Sequence, residues 1–280
     1  MTAPAHNILV TGAAGFLGRA VIEQLALLGR PATGVTRRAL PEMRQVADYA
    51  DTPAASVIIH LAEEADRAVV NRLGDAYADD AARIMRNMVS RADRVVYASS
   101  GMVYGDDNDA PCTPATRVRA SDTYSQSKLR NEGVALAAGG TAMRLANLFG
   151  SGMAATNVVS DIARQLGAAG PLRVRDDTPV RDFLGVQDAA RAIALAAIAD
   201  CTGTYNVGSG TGLSIRQLAG IALAATGQSG REIVASQPSS RRSVNILDVA
   251  DTRQHLGWGP TPTAAEQLAT FFRLGAGLGQ

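Results

Sequence analysis

Short apolar runs alternate along the first half of the chain with longer segments in which apolar residues recur at helical spacing. Strands of a buried parallel sheet form continuous apolar runs, because helices cover both faces of the sheet. Four runs have this character: Ile8–Val10, Val57–Ile59, Val95–Tyr97 and Met143–Leu145. A weaker fifth, Ala32–Thr36, contains Gly34. The intervening segments predict helices over Arg19–Leu28, Asp79–Arg91 and Tyr124–Ala138. This alternation predicts an α/β fold with a Rossmann-type doubly wound parallel sheet.

The pattern changes from about Asn147 onward. Short helical segments near residues 157–166 and 214–225 alternate with brief strands and proline-containing loops, and an alanine-rich helix is predicted over Val186–Ile198. We therefore predict a dinucleotide-binding domain over residues 1–146 and a smaller, mainly substrate-binding domain over residues 147–280.

Three glycines follow the first predicted strand and open the first predicted helix, in the stretch TGAAGFLG. Gly12 permits a tight turn, Gly15 lets the backbone approach a pyrophosphate, and Gly18 lets the helix pack close to the strand. The helix N-terminus, at Phe16 and Leu17, would present free N–H groups to the phosphates. A glycine motif between a strand and a helix predicts a dinucleotide site.

Tyr124 and Lys128 lie four residues apart in YSQSK, and Ser100 precedes them in ASSGMVYG. Residues i and i+4 of a helix share one face, so the phenol and the ammonium are expected to lie together. A lysine cation favours the ionised form of a neighbouring phenol, which allows proton exchange near neutral pH. The Ser100 hydroxyl would hold the substrate oxygen. These groups predict interconversion of an alcohol and a ketone.

These motifs together resemble those of the extended short-chain dehydrogenase/reductases, also called NAD-dependent epimerase/dehydratases. The resemblance runs along nearly the whole chain. It also rests on HLA at His60–Ala62, MRLANLFG at Met143–Gly150, VRDFLGVQDAARA from Val180, YNVGSGTGLSIRQLA from Tyr205 and LGWGPTPT from Leu256. Several ordered motifs at plausible separations are more specific than any one of them.

The resemblance implies roles for individual residues. Ser100, Tyr124 and Lys128 take the catalytic positions, and Tyr124 and Lys128 also contact the cofactor, Lys128 through the nicotinamide ribose. The cofactor would also be lined by His60, Leu61 and Ala62. A stretch near residues 180–207, including the helix at 186–198, is expected to return to the first domain, so that the two domains are interleaved.

The resemblance also implies a nucleotide sugar as the small-molecule substrate. Asn147 and Arg181 match residues that contact such substrates in the family. Arg242, or its neighbour Arg241, corresponds to a second phosphate-contacting arginine. Arginine suits a pyrophosphate because its guanidinium donates paired hydrogen bonds.

The end of the second predicted strand bears on the choice of cofactor. NAD-binding versions usually place an acid there for the adenosine ribose. This chain has Gly34-Val35-Thr36-Arg37-Arg38 instead. Two guanidiniums suit a 2′-phosphate, whereas the alternative is a solvated charged pair at the start of a loop. We predict that Arg37 and Arg38 favour NADP(H), with NAD(H) possible.

Gly101 and Met102 follow Ser100 at the position where family members that eliminate water carry an Asp-Glu pair. The resemblance therefore implies an epimerase, as in UDP-glucose 4-epimerases, or a 4-ketoreductase, and not a 4,6-dehydratase. Two alternatives lie outside this pair: a reductase of a non-sugar carbonyl, and a non-catalytic NADP-binding sensor or scaffold. The sensors usually lack the tyrosine or the lysine, both of which this chain keeps.

Composition narrows the partners and the compartment. The net charge of +1 gives no electrostatic reason to expect nucleic acid or an anionic membrane surface. Cys112 and Cys201 lack metal-ligand spacing, so no metal site is predicted. The first strand begins within ten residues and no apolar run is long enough for a bilayer, which predicts a cytoplasmic protein.

The resemblance further implies a homodimer, built on the helices at Asp79–Arg91 and Tyr124–Ala138. Its expected face includes Ala82, Met85, Met88 and Val89, although the same residues could instead face the sheet.

Overall fold

The computed structural model describes residues 7–199 and 201–277. Its strands are β1 (Ile8–Thr11), β2 (Thr33–Thr36), β3 (Arg44–Gln45), β4 (Ala55–His60), β5 (Ala92–Ser100), β6 (Thr141–Leu145), β7 (Asn147–Phe149), β8 (Leu172–Val174), β9 (Val180–Gly185), β10 (Gly203–Val207), β11 (Gly212–Ser214), β12 (Ile233–Ala235) and β13 (Val244–Asn245). Its helices are α1 (Phe16–Leu27), α2 (Arg67–Leu73), α3 (Asp75–Val89), α4 (Thr123–Ala137), α5 (Val158–Gln165), α6 (Val186–Ile198), α7 (Ile215–Ala225), α8 (Ala250–Leu256) and α9 (Ala264–Gly277).

Seven of the described strands form one parallel sheet in the order β10-β6-β5-β4-β1-β2-β3. Successive side chains of a strand point to opposite faces. On one face Ile8 and Val10 join a core that includes residues of α1 and α6. On the other face Leu9 and Ile58 pack with residues of α3 and α4. Helices on both faces explain the continuous apolar runs, and the predicted doubly wound sheet is confirmed.

The predicted strands and helices of the first half are all present, with ends that differ by a few residues. Two elements went unpredicted. One is β3, which contains no apolar residue, and the other is α2. Only a 3₁₀ turn, Tyr49–Asp51, stands between β3 and β4. No crossover helix joins β3 to β4, so this connection provides no helix to cover the edge of the sheet beside β3.

The rest of the chain builds a smaller unit around a mixed sheet. Its central strand, β9, pairs in parallel with β7 and β13 and antiparallel with β11. A separate parallel pair joins β8 and β12. The core of this unit consists of side chains from α5, α7, α9 and the small strands, among them Phe149, Ile162, Phe183, Leu218 and Phe272.

The two units are interleaved by α6 and β10. Strand β9 belongs to the small sheet, and α6 begins at the residue that follows it. Helix α6 packs against α1, and β10 adds to the large sheet beside β6. The chain therefore crosses from the small sheet back to the large sheet at Val186. This crossing places the carboxyl end of β9 close to α1 and the large sheet.

Three of the four residues expected at a dimer face point inward. Ala82, Met85 and Met88 are fully buried within the single chain, where Met85 and Met88 pack against the sheet. The prediction that these three form the dimer contact is wrong. The physical reason is that an amphipathic helix uses its most apolar stripe for its own core. Val89 is partly exposed and packs at the edge of the same cluster.

Within the described residues, every helix is too short or too polar to span a lipid bilayer.

Candidate active site

The glycine motif forms a turn in which the backbone is closely packed. Gly12 has a φ of +69°, and a Cβ atom there would lie 3.0 Å from the Cα of Ala62. A Cβ atom on Gly15 would lie 3.1 Å from the Gly12 carbonyl oxygen, and one on Gly18 would collide with that oxygen. The turn therefore needs glycine at Gly12 and Gly18, and a Cβ atom at Gly15 would be a tight fit. It brings the Gly12 backbone against the Leu61–Ala62 backbone.

Helix α1 begins at Phe16, and its N-cap, Gly15, offers no side-chain acceptor. The first N–H groups of a helix, here those of Phe16 and Leu17 among others, have no acceptor within the helix. Such a terminus is a ready site for phosphate. The glycine turn and the open helix end together fit a dinucleotide.

Arg37 and Arg38 lie directly after β2 and are both exposed. The guanidinium of Arg37 stands over the ring of Tyr49 at 5.4 Å from the ring centroid. The backbone N–H of Arg38 donates to the Thr36 hydroxyl at 3.1 Å. Both guanidiniums can therefore reach a group bound beyond the carboxyl end of β2. Asp48, ten residues further along the chain, caps the 3₁₀ turn and pairs with Arg83.

The predicted catalytic residues lie on two packed elements. Ser100 belongs to the end of β5, and Tyr124 and Lys128 belong to α4. Ser100 is the last residue of β5, and its Oγ accepts from the Met102 backbone N–H at 3.2 Å. Helix α4 packs on β5. The Lys128 ammonium donates to the Ala98 carbonyl at 3.0 Å and lies 5.9 Å from the Tyr124 ring centroid. The structure thus brings Tyr124 and Lys128 together beside the strand that ends at Ser100.

The start of α4 is held by a polar network that orients Tyr124. The Asp122 carboxylate caps the helix by accepting from the Ser125 backbone N–H at 2.9 Å. Asn71 of α2 donates to Asp122 at 2.9 Å and accepts from the Tyr124 backbone N–H at 3.0 Å. Burial would raise the pKa of Asp122, but hydrogen bonds from Ser125, Asn71 and Arg67 hold that pKa well below its usual range. The cap therefore stays ionised and fixes the first turn of α4.

Glu63 is a site residue that the sequence analysis missed. Its carboxylate oxygen Oε2 lies 2.8 Å from the Lys128 ammonium, and both side chains are less than 10% exposed. Tyr97 donates to the same oxygen at 2.8 Å, and Asn131 donates to Oε1 at 2.7 Å. The available signal was an acid directly after His60–Ala62. Its partner is 65 positions away along the chain, so spacing could not reveal the pair.

The ion pair changes the protonation behaviour of both partners. Burial would lower the pKa of Lys128, but the Glu63 carboxylate more than offsets this and raises the pKa to about 12. Burial would likewise raise the pKa of Glu63, and Lys128 more than offsets it, so that this pKa lies below its ordinary value. Lys128 is therefore an ammonium and Glu63 a carboxylate throughout the neutral range. Lys128 is also the only lysine of the 280-residue sequence.

The His60 ring is part of the core beneath the site. It is 1% exposed, its Nδ1 lies 2.8 Å from the Thr11 hydroxyl, and it stacks on Tyr97. Burial lowers the pKa of His60 to about 4, so the ring is neutral at pH 7. The structure gives His60 a buried position behind the glycine turn, and the backbone of Leu61 and Ala62 lies directly against Gly12.

Arg181 lies on β9 in a second polar cluster. Its guanidinium donates to the Ser243 carbonyl at 3.0 Å and to the Ser243 hydroxyl at 2.7 Å. Asp106 lies 3.6 Å from Arg181 and is paired in bidentate fashion with Arg241. Burial lowers the pKa of Arg181; Asp106 opposes that shift, and the nearby Arg241 and Arg67 add to it. Arg181 and Arg241 therefore flank the same carboxylate, that of Asp106, and we call this group the arginine recess.

Arg242 points away from this recess. Its guanidinium binds the carboxylates of Asp107 and Asp109 and the carbonyl of Asn108. The alternative residue, Arg241, shares Asp106 with Arg181 and is therefore the arginine that the structure places beside it. Asn147 is exposed at the start of β7, where its amide donates to the Asp182 carbonyl at 3.0 Å.

The model of a known family, described as the NAD dependent epimerase/dehydratase family, matches residues 8–208. The chain belongs to this family. The resemblance drawn from the motifs is thereby confirmed. Membership of the NAD dependent epimerase/dehydratase family also accounts for the glycine turn and for the tyrosine and lysine of α4 in one chain.

Solved structures agree over nearly the whole length of this family member. A UDP-glucose 4-epimerase from Thermotoga maritima, in complex with UDP-glucose, shares 23% identity and a TM-score of 0.84, covering 97% of this chain and 99% of that one. MoeE5, in complex with UDP-glucose and NAD, shares 27% identity and a TM-score of 0.79, covering 95% and 97%. A dTDP-glucose 4,6-dehydratase from Streptomyces venezuelae, with NAD bound, shares 22% identity and a TM-score of 0.82, covering 95% and 96%.

These similar structures include both epimerases and dehydratases, so the shared fold does not select the reaction. No curated protein matches the chain significantly. In the described part of the chain, His, Cys, Asp and Glu side chains form no group with the geometry of a metal site.

Proposed function

We propose that this protein interconverts a hydroxyl and a carbonyl group on a nucleotide sugar, with a nicotinamide dinucleotide as the redox partner. The observation that carries the proposal is that Tyr124 and Lys128 lie together on α4, which packs on the strand that ends at Ser100. Ligands of open α/β sheets bind in the crevice outside the carboxyl ends of the strands. The glycine turn opens into the same crevice at the end of β1.

The chain's own residues divide the chemical work. The dinucleotide, when bound on the glycine turn, would accept or supply the hydride. Tyr124 would take the proton from the substrate hydroxyl or return it to the carbonyl oxygen. Ser100 would hold that oxygen, and the charged Lys128 would stabilise the ionised phenol. General acid–base assistance of this kind typically gives about 10²–10⁴-fold in rate.

A nucleotide sugar is supported by the arginine recess and by the ligands of similar proteins. MoeE5, at 27% identity, binds UDP-glucose and NAD. Arg181 and Arg241 supply two guanidiniums beside one another, which suits the paired oxygens of a pyrophosphate.

Replacing Arg181 with alanine should weaken the binding of UDP-glucose by about 10–100-fold, because hydrogen bonds to charged groups contribute roughly 1.5–3 kcal/mol. Isothermal titration calorimetry of the cofactor-loaded protein would measure the change. We expect Arg241→Ala to weaken binding more than Arg242→Ala, since Arg242 is held by the 107–109 loop. The exposed Arg173→Ala is the control.

If the Arg181→Ala and Arg241→Ala variants both bind UDP-glucose as tightly as wild type, the arginine recess is not the phosphate site. A loss confined to Arg242→Ala would mean that the 106–109 loop rearranges to bring Arg242 into the site.

We propose NADP(H) as the preferred cofactor, with NAD(H) as the alternative. The structural support is that Arg37 and Arg38 are exposed directly after β2, where no carboxylate follows the strand. Against this stands the fact that MoeE5 and other similar proteins bind NAD. The preference decides between the two reactions, because an epimerase returns its reducing equivalents and gains nothing from NADP selectivity.

Changing both Arg37 and Arg38 to alanine should weaken NADP⁺ binding by at least about tenfold and leave NAD⁺ binding nearly unchanged, because only NADP⁺ carries the 2′-phosphate. Calorimetric titration with each cofactor would show this. Arg30→Ala, at the opposite end of β2, is the matched control. NADP⁺ preference in the wild type would support a 4-ketoreductase. NAD⁺ that co-purifies with the protein would support an epimerase.

A further inference from the structure

We propose that Glu63 is a positioning residue that holds Lys128 as a charged ammonium beside Tyr124. The proposal rests on the function proposed above, in which Lys128 acts on Tyr124. It assigns a task to a buried acid that the reaction itself does not use. The evidence is the geometry around the Lys128 ammonium.

The Lys128 ammonium lies between two acceptors. The Ala98 carbonyl of β5 accepts from it at 3.0 Å, and the Glu63 carboxylate lies 2.8 Å away. The carboxylate itself is fixed by Tyr97 and Asn131, one on each oxygen. The ammonium can therefore move neither along α4 nor toward solvent without breaking a charged hydrogen bond. This position leaves it 5.9 Å from the centroid of the Tyr124 ring.

Glu63 provides the countercharge that a buried lysine requires. Titratable groups reach Lys128 from every neighbouring element: Glu63 from the loop after β4, His60 from β4, Tyr97 from β5, Tyr77 from α3 and Tyr124 from α4. His60 is neutral at pH 7, and burial holds the pKa of Tyr77 at about 12 and that of Tyr97 well above its ordinary value. Glu63 is the one carboxylate among these neighbours, and it supplies negative charge beside the ammonium near neutral pH.

Without Glu63 the burial of Lys128 would favour the neutral amine. Burial disfavours the charged form of a lysine, and loss of an opposite charge at this distance shifts ionisation by about 1–3 pH units. A neutral amine cannot stabilise an ionised phenol. Glu63 thus keeps Lys128 charged, and able to stabilise the ionised phenol, as the pH rises. It does so by contacting Lys128 and not the reacting atoms.

The proposal can be tested without a substrate because Lys128 is the only lysine in the chain. Protein labelled with ¹³C at lysine Cε gives one lysine signal, and its chemical shift follows the ionisation of Lys128. In wild type the signal should keep its ammonium position up to the highest pH at which the fold persists. In Glu63→Gln the lysine signal should titrate with a midpoint about 1–3 pH units below that of wild type. The exposed Glu64→Gln removes the same charge one residue away and should match wild type.

The wild-type protein provides a second test that requires no substitution. With ¹⁵N at lysine Nζ, the ammonium protons of Lys128 should be visible at neutral pH, because a buried, paired ammonium exchanges slowly with water. Absence of this signal would overturn the proposal even if Glu63→Gln does not fold. So would an unchanged titration of the lysine signal in folded Glu63→Gln.

Activity then separates a positioning role from a purely structural one. In Glu63→Gln, kcat should fall with rising pH at the midpoint seen for the lysine signal, and Glu64→Gln should keep the wild-type profile. A pH-independent loss in Glu63→Gln would indicate a structural role and overturn the proposal. If no nucleotide sugar is turned over by wild type, the proposed function fails, while the lysine titration still reports on Glu63.

Discussion

Replacing Tyr124 with phenylalanine should lower kcat by about 10²–10⁴-fold and leave the affinity for the dinucleotide nearly unchanged. The substitution removes only the phenolic oxygen, which is the atom proposed to exchange a proton with the substrate. The first turn of α4 should persist, because it is held through the Asp122 carboxylate and the Tyr124 backbone N–H. Steady-state turnover of UDP-sugars, with calorimetric titration of the cofactor, measures both quantities.

Tyr205→Phe is a suitable control for this experiment. The Tyr205 hydroxyl donates to the Thr202 carbonyl at the amino end of β10, whereas the site lies at the carboxyl end of β5. That variant should retain wild-type kcat. Substantial turnover in Tyr124→Phe would show that another group moves the proton, and the mechanism proposed here would be wrong.

The same variant also bears on the non-catalytic alternative. A sensor or scaffold would bind the cofactor tightly and show no turnover in wild type, so Tyr124→Phe would change nothing. An enzyme would show turnover in wild type that Tyr124→Phe removes. Wild type and variant, assayed together, therefore separate the two classes.

Replacing Arg144 with methionine should lower the free energy of unfolding by about 3–5 kcal/mol, because removing one partner of a buried ion pair leaves an uncompensated charge. Arg144 of β6 forms bidentate hydrogen bonds with Glu132 of α4, at 3.0 Å and 2.7 Å, and both side chains are less than 10% exposed. Ser99 also donates to Glu132, and Arg144 donates to Tyr104 at 2.9 Å. No other cation pairs with Glu132 among the described residues.

Chemical denaturation measures this loss, and Arg164→Met provides the comparison. Arg164 pairs with Asp161 on the surface of α5, with both side chains about half exposed or more. Exposed pairs contribute about 0–1 kcal/mol, so this variant should unfold almost like wild type. A cost below about 1 kcal/mol for Arg144→Met would mean that Glu132 reaches water or accepts a proton in the variant.

Features encoded by local spacing could be predicted from the sequence. The glycine turn was predictable because the positive φ of Gly12 and the collision of a Cβ atom at Gly18 with the Gly12 carbonyl both arise within the turn itself. The shared face of Tyr124 and Lys128 follows from helix geometry alone. The strands at 8–10, 57–59, 95–97 and 143–145 were visible because burial on both faces demands continuous apolar residues. The sequence also carried enough ordered motifs to indicate the family, which the match over residues 8–208 confirms.

Features that depend on contacts between distant segments were decided by the tertiary structure. Glu63 meets Lys128 only because the loop after β4 lies against α4, and nothing in the spacing of 65 residues encodes that contact. Arg241, and not Arg242, shares Asp106 with Arg181 because β13 and the 106–109 loop turn the two neighbouring side chains apart. Met85 and Met88 proved to be core residues, because helical periodicity identifies an apolar stripe but not what covers it. The sequence by itself thus determined which functional groups this protein carries and which of them share one local element. The packing of distant segments decided which of the others come into contact.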